Sequence, residues 1–191
     1  MKREQTKQSS TYEKDIGRIM PQARELEEAV LGAVLIEKSA FEIVNDILTP
    51  EMFYDKSNEL IFKACAELDS EKKPIDLLTV VERLRKNETL ETIGGVTRIA
   101  KLSQAVVSSA HLEYHCLVVK DKYLHRRLIE ICSEYTAFGF DDTEDIDDTI
   151  AKLNTEIERI QECIAGSGNT IHISDAVKKS VEAESSIKTI S

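Results

Sequence analysis

The chain has few of the residues that interrupt helices or build turns. Its 191 residues include 7 glycines, 3 prolines and no tryptophan, and aromatic residues make up only 5%. A β-sandwich or barrel needs a turn about every 8–12 residues, so this scarcity argues against both architectures. Charged residues reach 31%, which is typical of helix-rich proteins. We therefore expect an all-α protein.

The sequence also has no long hydrophobic run. A membrane helix needs about 18 or more consecutive apolar residues, and the segment after Met1 is polar where a signal peptide would be apolar. We therefore expect a cytoplasmic protein with no membrane segment. The formal net charge is -10, and this excess of carboxylates repels phosphate backbones. Direct DNA binding by this chain alone is therefore not expected.

The residue patterns that usually carry catalysis are absent from the sequence. No GxxxxGK[ST] motif occurs, and the Gly94–Gly95 pair has no neighbouring lysine to hold a phosphate. His111 and His115 lie four residues apart and could share a metal, yet a metal-dependent enzyme needs a third ligand that the spacing does not show. The sequence therefore predicts no catalytic residue, no metal and no cofactor in this chain.

The cysteines do not form a metal-binding or disulfide pattern. They are widely spaced, with no CxxC pair, and lie at Cys65, Cys116, Cys132 and Cys163. In a cytoplasmic protein such cysteines usually behave as small apolar residues. We expect all four to be reduced and buried in helices.

Helical periodicity predicts a compact head. Residues 1–20 lack apolar periodicity and indicate a flexible arm. Residues 21–110 contain amphipathic segments, of which the second should begin at Ser39 and stop at Pro50, and the fourth should be capped by Asp76. The predicted helices cover 23–36, about 39–48, 58–71, 77–86 and a short segment opened by the glycine turn at 94–95. Together they indicate a multi-helix globular head.

Residues 111–165 predict a long antiparallel helical hairpin. The first helix covers 111 to about 138, and the second carries isoleucine or leucine in steps of four and three over 146–164. Because only a short acidic turn joins them, the two helices should run antiparallel. We expect the remaining apolar strip to pack on a copy of the chain or on another protein, or alternatively on the head itself. Residues 166–191 indicate a linker and the start of another helix.

A basic cluster lies on the first helix of the hairpin. Its members are Lys120, Lys122, His125, Arg126 and Arg127. Such a cluster is either a solvated face or a docking patch for an acidic partner.

Five short motifs follow one another along the chain. They are Pro21 with EEAVLG at 27–32, LTPEMFY at 48–54, PIDLLTV at 74–80, IGG at 93–95 and RRLI at 126–129. Each motif is weak alone, but the five together have the order and approximate spacing of one family. Over about residues 21–165 the chain resembles the N-terminal domain of DnaB-type bacterial replicative DNA helicases.

The resemblance implies a globular head and a hairpin that pairs with its copy into dimers. Three dimers would form a collar above a hexameric motor ring and recruit primase through the primase C-terminal domain, with a helicase loader as a further partner. Candidates for partner contact on the hairpin surface are Tyr123, Arg126, Arg127 and Glu130. The residues expected to hold the hairpin and its dimer together are Leu124, Leu128, Ile131, Ile150, Leu153, Ile157 and Ile160.

The resemblance also implies what this chain does not carry. Members of the family continue through a linker helix into a RecA-like motor domain that uses ATP and magnesium, and that domain is absent from this sequence. The expected role is therefore an assembly and primase-interaction domain in the primosome, not an enzyme by itself, with the chain cut inside the linker at 166–191. The alternative is a free-standing helical adaptor or regulator of a replicative helicase.

Overall fold

All regular structure in the described part of the chain is helical, which confirms the all-α prediction. The computed structural model describes residues 19–104, 111–140, 143 and 145–165. The elements are α1 (Arg24–Ile36), α2 (Ala40–Asn45), a 3-10 helix (Pro50–Met52), α3 (Lys56–Ser70), α4 (Leu77–Lys86), α5 (Gly95–Gln104), α6 (Leu112–Phe138) and α7 (Ile146–Ala165). The chain divides into two compact units, Met1–Ala137 and Phe138–Ser191. None of the described helices is long and apolar enough to cross a membrane.

Two predicted segments fall wholly or mostly outside the described residues. The flexible arm was expected over 1–20, of which only Ile19 and Met20 are described. The linker over 166–191 lies entirely outside them, as does the expected end of the head at residue 110.

The core of the first unit is built around α1. This helix packs against α2, α3 and α5, while α3 also packs against α4 and the 3-10 helix. Val30 and Leu31 of α1 are completely buried, because apolar residues recur along this helix at three and four positions. Phe62 of α3 is also completely buried and contacts the rings of Phe41 and Phe53, with centroids 5.7 and 5.1 Å away.

The predicted cap of α4 is confirmed. The Asp76 carboxylate accepts the backbone N–H groups of Leu78 and Thr79, both at 2.9 Å, and the Asp76 N–H donates to the Thr79 hydroxyl at 3.0 Å. This reciprocal arrangement satisfies amides that have no partner within the helix. The predicted glycine turn is also confirmed, since Gly94 and Gly95 have φ values of 97° and 72° that favour glycine.

The prediction from the sequence was less accurate around α2. Ser39 occupies the position before the helix, but its hydroxyl donates to the Glu37 carboxylate at 3.2 Å and does not cap the helix. The helix ends at Asn45, before Pro50 is reached. Pro50 instead begins the 3-10 helix, where a missing N–H has no cost.

The helix of the second unit begins with an aspartate cap. The Asp145 carboxylate accepts the N–H groups of Asp147 and Asp148 at 2.9 and 3.2 Å. Both of these acidic residues lie in the first turn of α7, where negative charge favours the helix dipole.

Candidate functional site

Arg126 is not a surface residue, so the prediction that it is exposed for partner contact is wrong. Its side chain is only 7% exposed, because it continues the buried stripe of α6, seven positions after Val119. Its guanidinium donates to the backbone carbonyls of Pro21 at 2.9 Å and Met52 at 2.7 Å. Burial lowers the pKa of Arg126, while the charge of Glu27 acts in the opposite direction. The buried cation therefore has partners from two remote segments.

Two tyrosines lie against this guanidinium. The centre of the Arg126 guanidinium is 5.3 Å from the Tyr54 ring and 5.8 Å from the Tyr123 ring. Arg24 also contacts the Tyr54 ring, at 5.0 Å. A cation over an aromatic face contributes about 0.5–2 kcal/mol, and more when water is excluded. Tyr123, predicted from sequence, and Tyr54 of the head, which was not predicted, therefore contact the same guanidinium.

Glu27 is a further residue that sequence reasoning missed. It is 1% exposed and accepts hydrogen bonds from the Tyr54 N–H at 2.7 Å, the Asp55 N–H at 3.3 Å and the Asn58 side-chain amide at 2.9 Å. A buried carboxylate requires such partners, since the loss of its hydration is otherwise too costly. The sequence could have indicated that Glu27 is buried, because it lies three and four residues before Val30 and Leu31, on the apolar face of α1.

The polar network extends from Glu27 to α5. Arg98 donates to the side-chain Oδ1 of Asn58 at 2.9 Å and to the Glu28 carboxylate at 3.1 Å. Asn58 in turn donates to Glu27. Helices α1, α3 and α5 are therefore joined through side-chain hydrogen bonds as well as apolar packing.

The predicted basic cluster does not form one solvated face. Lys120 and Arg126 are both 7% exposed, whereas His125 is exposed and Lys122 is half-buried beside Asp121. Because successive residues of a helix point in different directions, a run of cations in sequence is split between its faces.

Two of the partner-contact candidates form an accessible ion pair. Arg127 donates to the Glu130 carboxylate at 2.7 Å, one helical turn away, with side chains 36% and 50% exposed. An ion pair in contact with solvent contributes little to stability. Both side chains are therefore in contact with solvent.

The predicted interface residues differ in exposure. Ile131 is 2% exposed, and Leu124, Leu153 and Ile160 are half-buried. Leu128, Ile150 and Ile157 are 51%, 49% and 38% exposed.

On α7 the exposed large apolar residues form a strip. It consists of Ile146, Ile150, Ile157 and Ile164, which recur in steps of four and seven and so lie on one face of the helix. We call this set the isoleucine strip. Such an aligned row of large apolar side chains is typical of a surface that binds protein.

In the part of the chain that the structure describes, the histidines and cysteines gather into no metal site. No group of three potential metal ligands occurs among the described residues. His111 and His115 lie on or beside α6, and the pKa of His115 is lowered first by burial and then by the charge of His111. The expectation that every cysteine is buried is correct for Cys65 and Cys116, wrong for Cys132, which is exposed, and only partly met by Cys163.

Comparison with known proteins agrees with this architecture. The family model described as "DnaB-like helicase N terminal domain" matches residues 19–121. The chain is 40% identical to the replicative DNA helicase DnaB of Rhodothermus marinus, over 76% of this chain and 15% of that protein. It is 35% identical to the replicative DNA helicase DnaB of Geobacillus stearothermophilus, over 76% of this chain and 32% of that protein. The chain therefore spans about a third or less of the length of these relatives.

Solved structures give the same result. The N-terminal domain of DnaB helicase from Mycobacterium tuberculosis matches with a TM-score of 0.69 and 27% identity, over 74% of this chain and 99% of that chain. A DnaB-like replicative helicase, studied with its interactions with primase, shares the fold with a TM-score of 0.60 and 24% identity, over 74% of this chain and 31% of that chain. Because the family model matches more than half of the residues, the chain belongs to the DnaB-like helicase N-terminal domain family.

Proposed function

We propose that this chain is the assembly and primase-interaction domain of a replicative DNA helicase, and that it acts in DNA replication as a collar on a hexameric motor. The observation that carries this proposal is the family match over residues 19–121. It is supported by curated relatives that are replicative DNA helicases. In this proposal ATP and magnesium act in a motor domain of the full-length protein, in the cytoplasm, and this chain holds no catalytic residue.

The first test of this proposal is genetic. The source gene should be read beyond the codon for Ser191. An open frame leading into a GxxxxGK[ST] motif is the expected result, because that motif holds the phosphates of ATP in such motors. A stop codon immediately after Ser191 would contradict the collar role and would favour the free-standing adaptor.

We further propose that α6 and α7 form an antiparallel hairpin and that two hairpins pair. The isoleucine strip supports this, since isolated exposed apolar residues are common but an aligned row of four is not. Leu128 of α6 is also exposed. Pairing with a second copy would remove this surface from water, and three such dimers would complete the collar.

The pairing is tested by placing a charge in the strip. Ile157→Asp should lower the dimer fraction measured by sedimentation equilibrium by at least about tenfold, because a buried, unpaired carboxylate costs several kcal/mol. Thr155→Asp is the matched control, because it adds the same charge on the opposite, exposed face of α7. An Ile157→Asp chain that keeps its helix content and its wild-type dimer would contradict the pairing.

For primase we propose a surface formed by Tyr123, Arg127 and Glu130, with Tyr54 of the head beside it. Tyr123 and Arg127 are half-exposed. Tyrosine and arginine are enriched among the residues that dominate the binding energy of protein interfaces. Tyr123→Ala and Arg127→Glu should each weaken binding of the primase C-terminal domain by about tenfold or more in calorimetry. Lys86→Glu reverses a charge at an exposed position of α4 and is a control that should leave the affinity for primase unchanged. Equal affinity for all variants would exclude this surface.

A helicase loader is a further proposed partner. The proposal rests on the family alone, and pull-down of the purified loader by the full-length helicase, with and without residues 1–191, tests it. Loss of binding with the shortened protein is expected, and undiminished binding would place the loader elsewhere.

A further inference from the structure

Arg126 binds two backbone segments that are far from it in sequence. Its Nη1 donates to the carbonyl of Pro21, 105 positions earlier, and its Nη2 donates to the carbonyl of Met52, 74 positions earlier. Pro21 lies just before α1, and Met52 is the last residue of the 3-10 helix. One side chain of α6 therefore binds both the segment before α1 and the end of the 3-10 helix.

The loop after the 3-10 helix is held from two sides. Arg126 binds the Met52 carbonyl, while Glu27 accepts the N–H groups of Tyr54 and Asp55. The Tyr54 ring also contacts the Arg126 guanidinium. A displacement of α6 that breaks the Arg126 bonds would leave the buried Met52 carbonyl and the partly buried Pro21 carbonyl without this donor. A fully buried group left without a partner costs about 1–3 kcal/mol. The geometry thus penalises movement of α6 away from this loop.

We infer that Arg126 is a positioning residue that fixes the placement of α6 against the head. The planar guanidinium presents donors in two directions at once and can bind both carbonyls, whereas the single ammonium of a lysine is a flexible point charge. Arg126 thereby also fixes where Tyr123 lies relative to Tyr54. The inference concerns geometry within one chain and does not depend on primase binding or on dimerisation.

The placement of α6 can be measured with two spin labels. Glu82→Cys on α4 and Glu134→Cys on α6 both lie at exposed positions of the first unit. Cys132 and Cys163 are replaced by serine, whereas Cys65 and Cys116 can remain, because burial raises the pKa of each thiol to about 12 and keeps it unreactive. An excess of unlabelled chain removes distances between copies. Pulsed electron double resonance then reports the distance distribution between the labels.

The variants separate positioning from stability. Arg126→Met should broaden the distance distribution, and Arg126→Lys should broaden it to a smaller extent, in chains whose helix content is that of the parent. Val119→Ala truncates a buried residue of the same helix and should lower Tm without broadening the distribution. Lys122→Met, which removes a neighbouring cation, should leave both quantities unchanged.

Two results would overturn the inference. One is a folded Arg126→Met chain with the parent distribution, and the other is broadening in Val119→Ala equal to that in Arg126→Met. If Arg126→Met fails to fold, Arg126→Lys decides, and a parent-like distribution in that variant overturns the inference. Broadening in Arg126→Met together with undiminished primase binding in Tyr123→Ala and Arg127→Glu would contradict only the proposed partner surface.

Discussion

The carboxylate of Glu27 accepts the backbone N–H of Tyr54 at 2.7 Å, across 27 positions of sequence. The same carboxylate binds the Asp55 N–H and the Asn58 amide, so an acidic residue on the apolar face of α1 organises the start of α3. Because Glu27 is almost completely buried, water cannot replace these hydrogen bonds, and their loss would reduce the stability of the fold. The head is therefore stabilised by a polar centre as well as by its aliphatic core.

Truncation of Glu27 should be strongly destabilising. Glu27→Ala leaves the N–H groups of Tyr54 and Asp55 and the Asn58 amide without their acceptor, at about 1–3 kcal/mol for each fully buried group. We expect a loss of at least about 3 kcal/mol in the free energy of unfolding, measured with urea. Glu25→Ala, an exposed change on the same helix, should remain within about 0.5 kcal/mol of wild type. Similar values for the two variants would disprove the role of Glu27.

Removal of the α4 cap should have a smaller effect. Asp76→Ala eliminates the acceptor of two backbone N–H groups and should reduce the free energy of unfolding by about 1 kcal/mol. Asp76→Asn and Asp76→Ser retain an acceptor and should recover most of this loss. Glu82→Ala, in the exposed middle of α4, is the control. A loss in Asp76→Ala no greater than in Glu82→Ala would show that the cap does not contribute.

The ion pair of Glu71 predicts a dependence on pH. The hydrogen bond from Arg83, then that from Lys73, lowers the pKa of Glu71 from 4.5 to about 2. A carboxyl whose folded pKa is depressed stabilises the protein above its unfolded pKa, and this contribution is lost as pH falls toward the folded pKa. Between pH 4.5 and 2, Glu71→Gln should therefore lose less stability than wild type. Urea unfolding at several pH values measures the slope of the unfolding free energy against pH.

The partner of Glu71 supplies the control for that experiment. In an Arg83→Met background the pKa of Glu71 should be less depressed, so Glu71→Gln should change the slope less. The effect of Glu71→Gln on the pH dependence of stability should also be smaller in high salt, because Glu71 is in contact with solvent. An unchanged slope in Glu71→Gln alone would mean that the pair does not persist in solution.

The four cysteines should differ in reactivity. Burial raises the pKa of the Cys65 and Cys116 thiols to about 12, so little thiolate forms at pH 8, and the fold also excludes reagent. Cys132 is exposed and should react first with a chromogenic disulfide, followed by the half-buried Cys163. Cys132→Ser should remove the fastest phase, and denaturant should make all thiols reactive. Rapid reaction of Cys65 or Cys116 in the native protein would contradict their burial.

Local sequence signals predicted most helix positions. The Asp76 cap, the glycine turn at 94–95 and the apolar spacing of α1 each act between residues a few positions apart, so they are readable without the fold. The same reasoning was weaker at α2, where Ser39 contacts Glu37 instead of the helix. A short helix has few periodic positions, and its ends depend on what it packs against.

The candidate site was predicted less completely. Tyr123, Arg127 and Glu130 are accessible as the partner proposal requires, but Arg126 is buried, and the nearby Tyr54 of the head was not selected. The sequence showed a run of cations, and a run alone does not tell which members have buried partners. For the isoleucine strip, spacing predicted the shared face of α7, and the structure supplied the exposure of its members.

By itself, the sequence determined that this protein is helical, where most of its helices begin and end, and which family it belongs to, because these depend on local spacing and on short motifs. Only the tertiary structure decided which charged residues are inside. Glu27 and Arg126 are buried because backbone groups from residues 27 to 105 positions away converge on them. Without those partners, the loss of hydration would keep both charges at the surface.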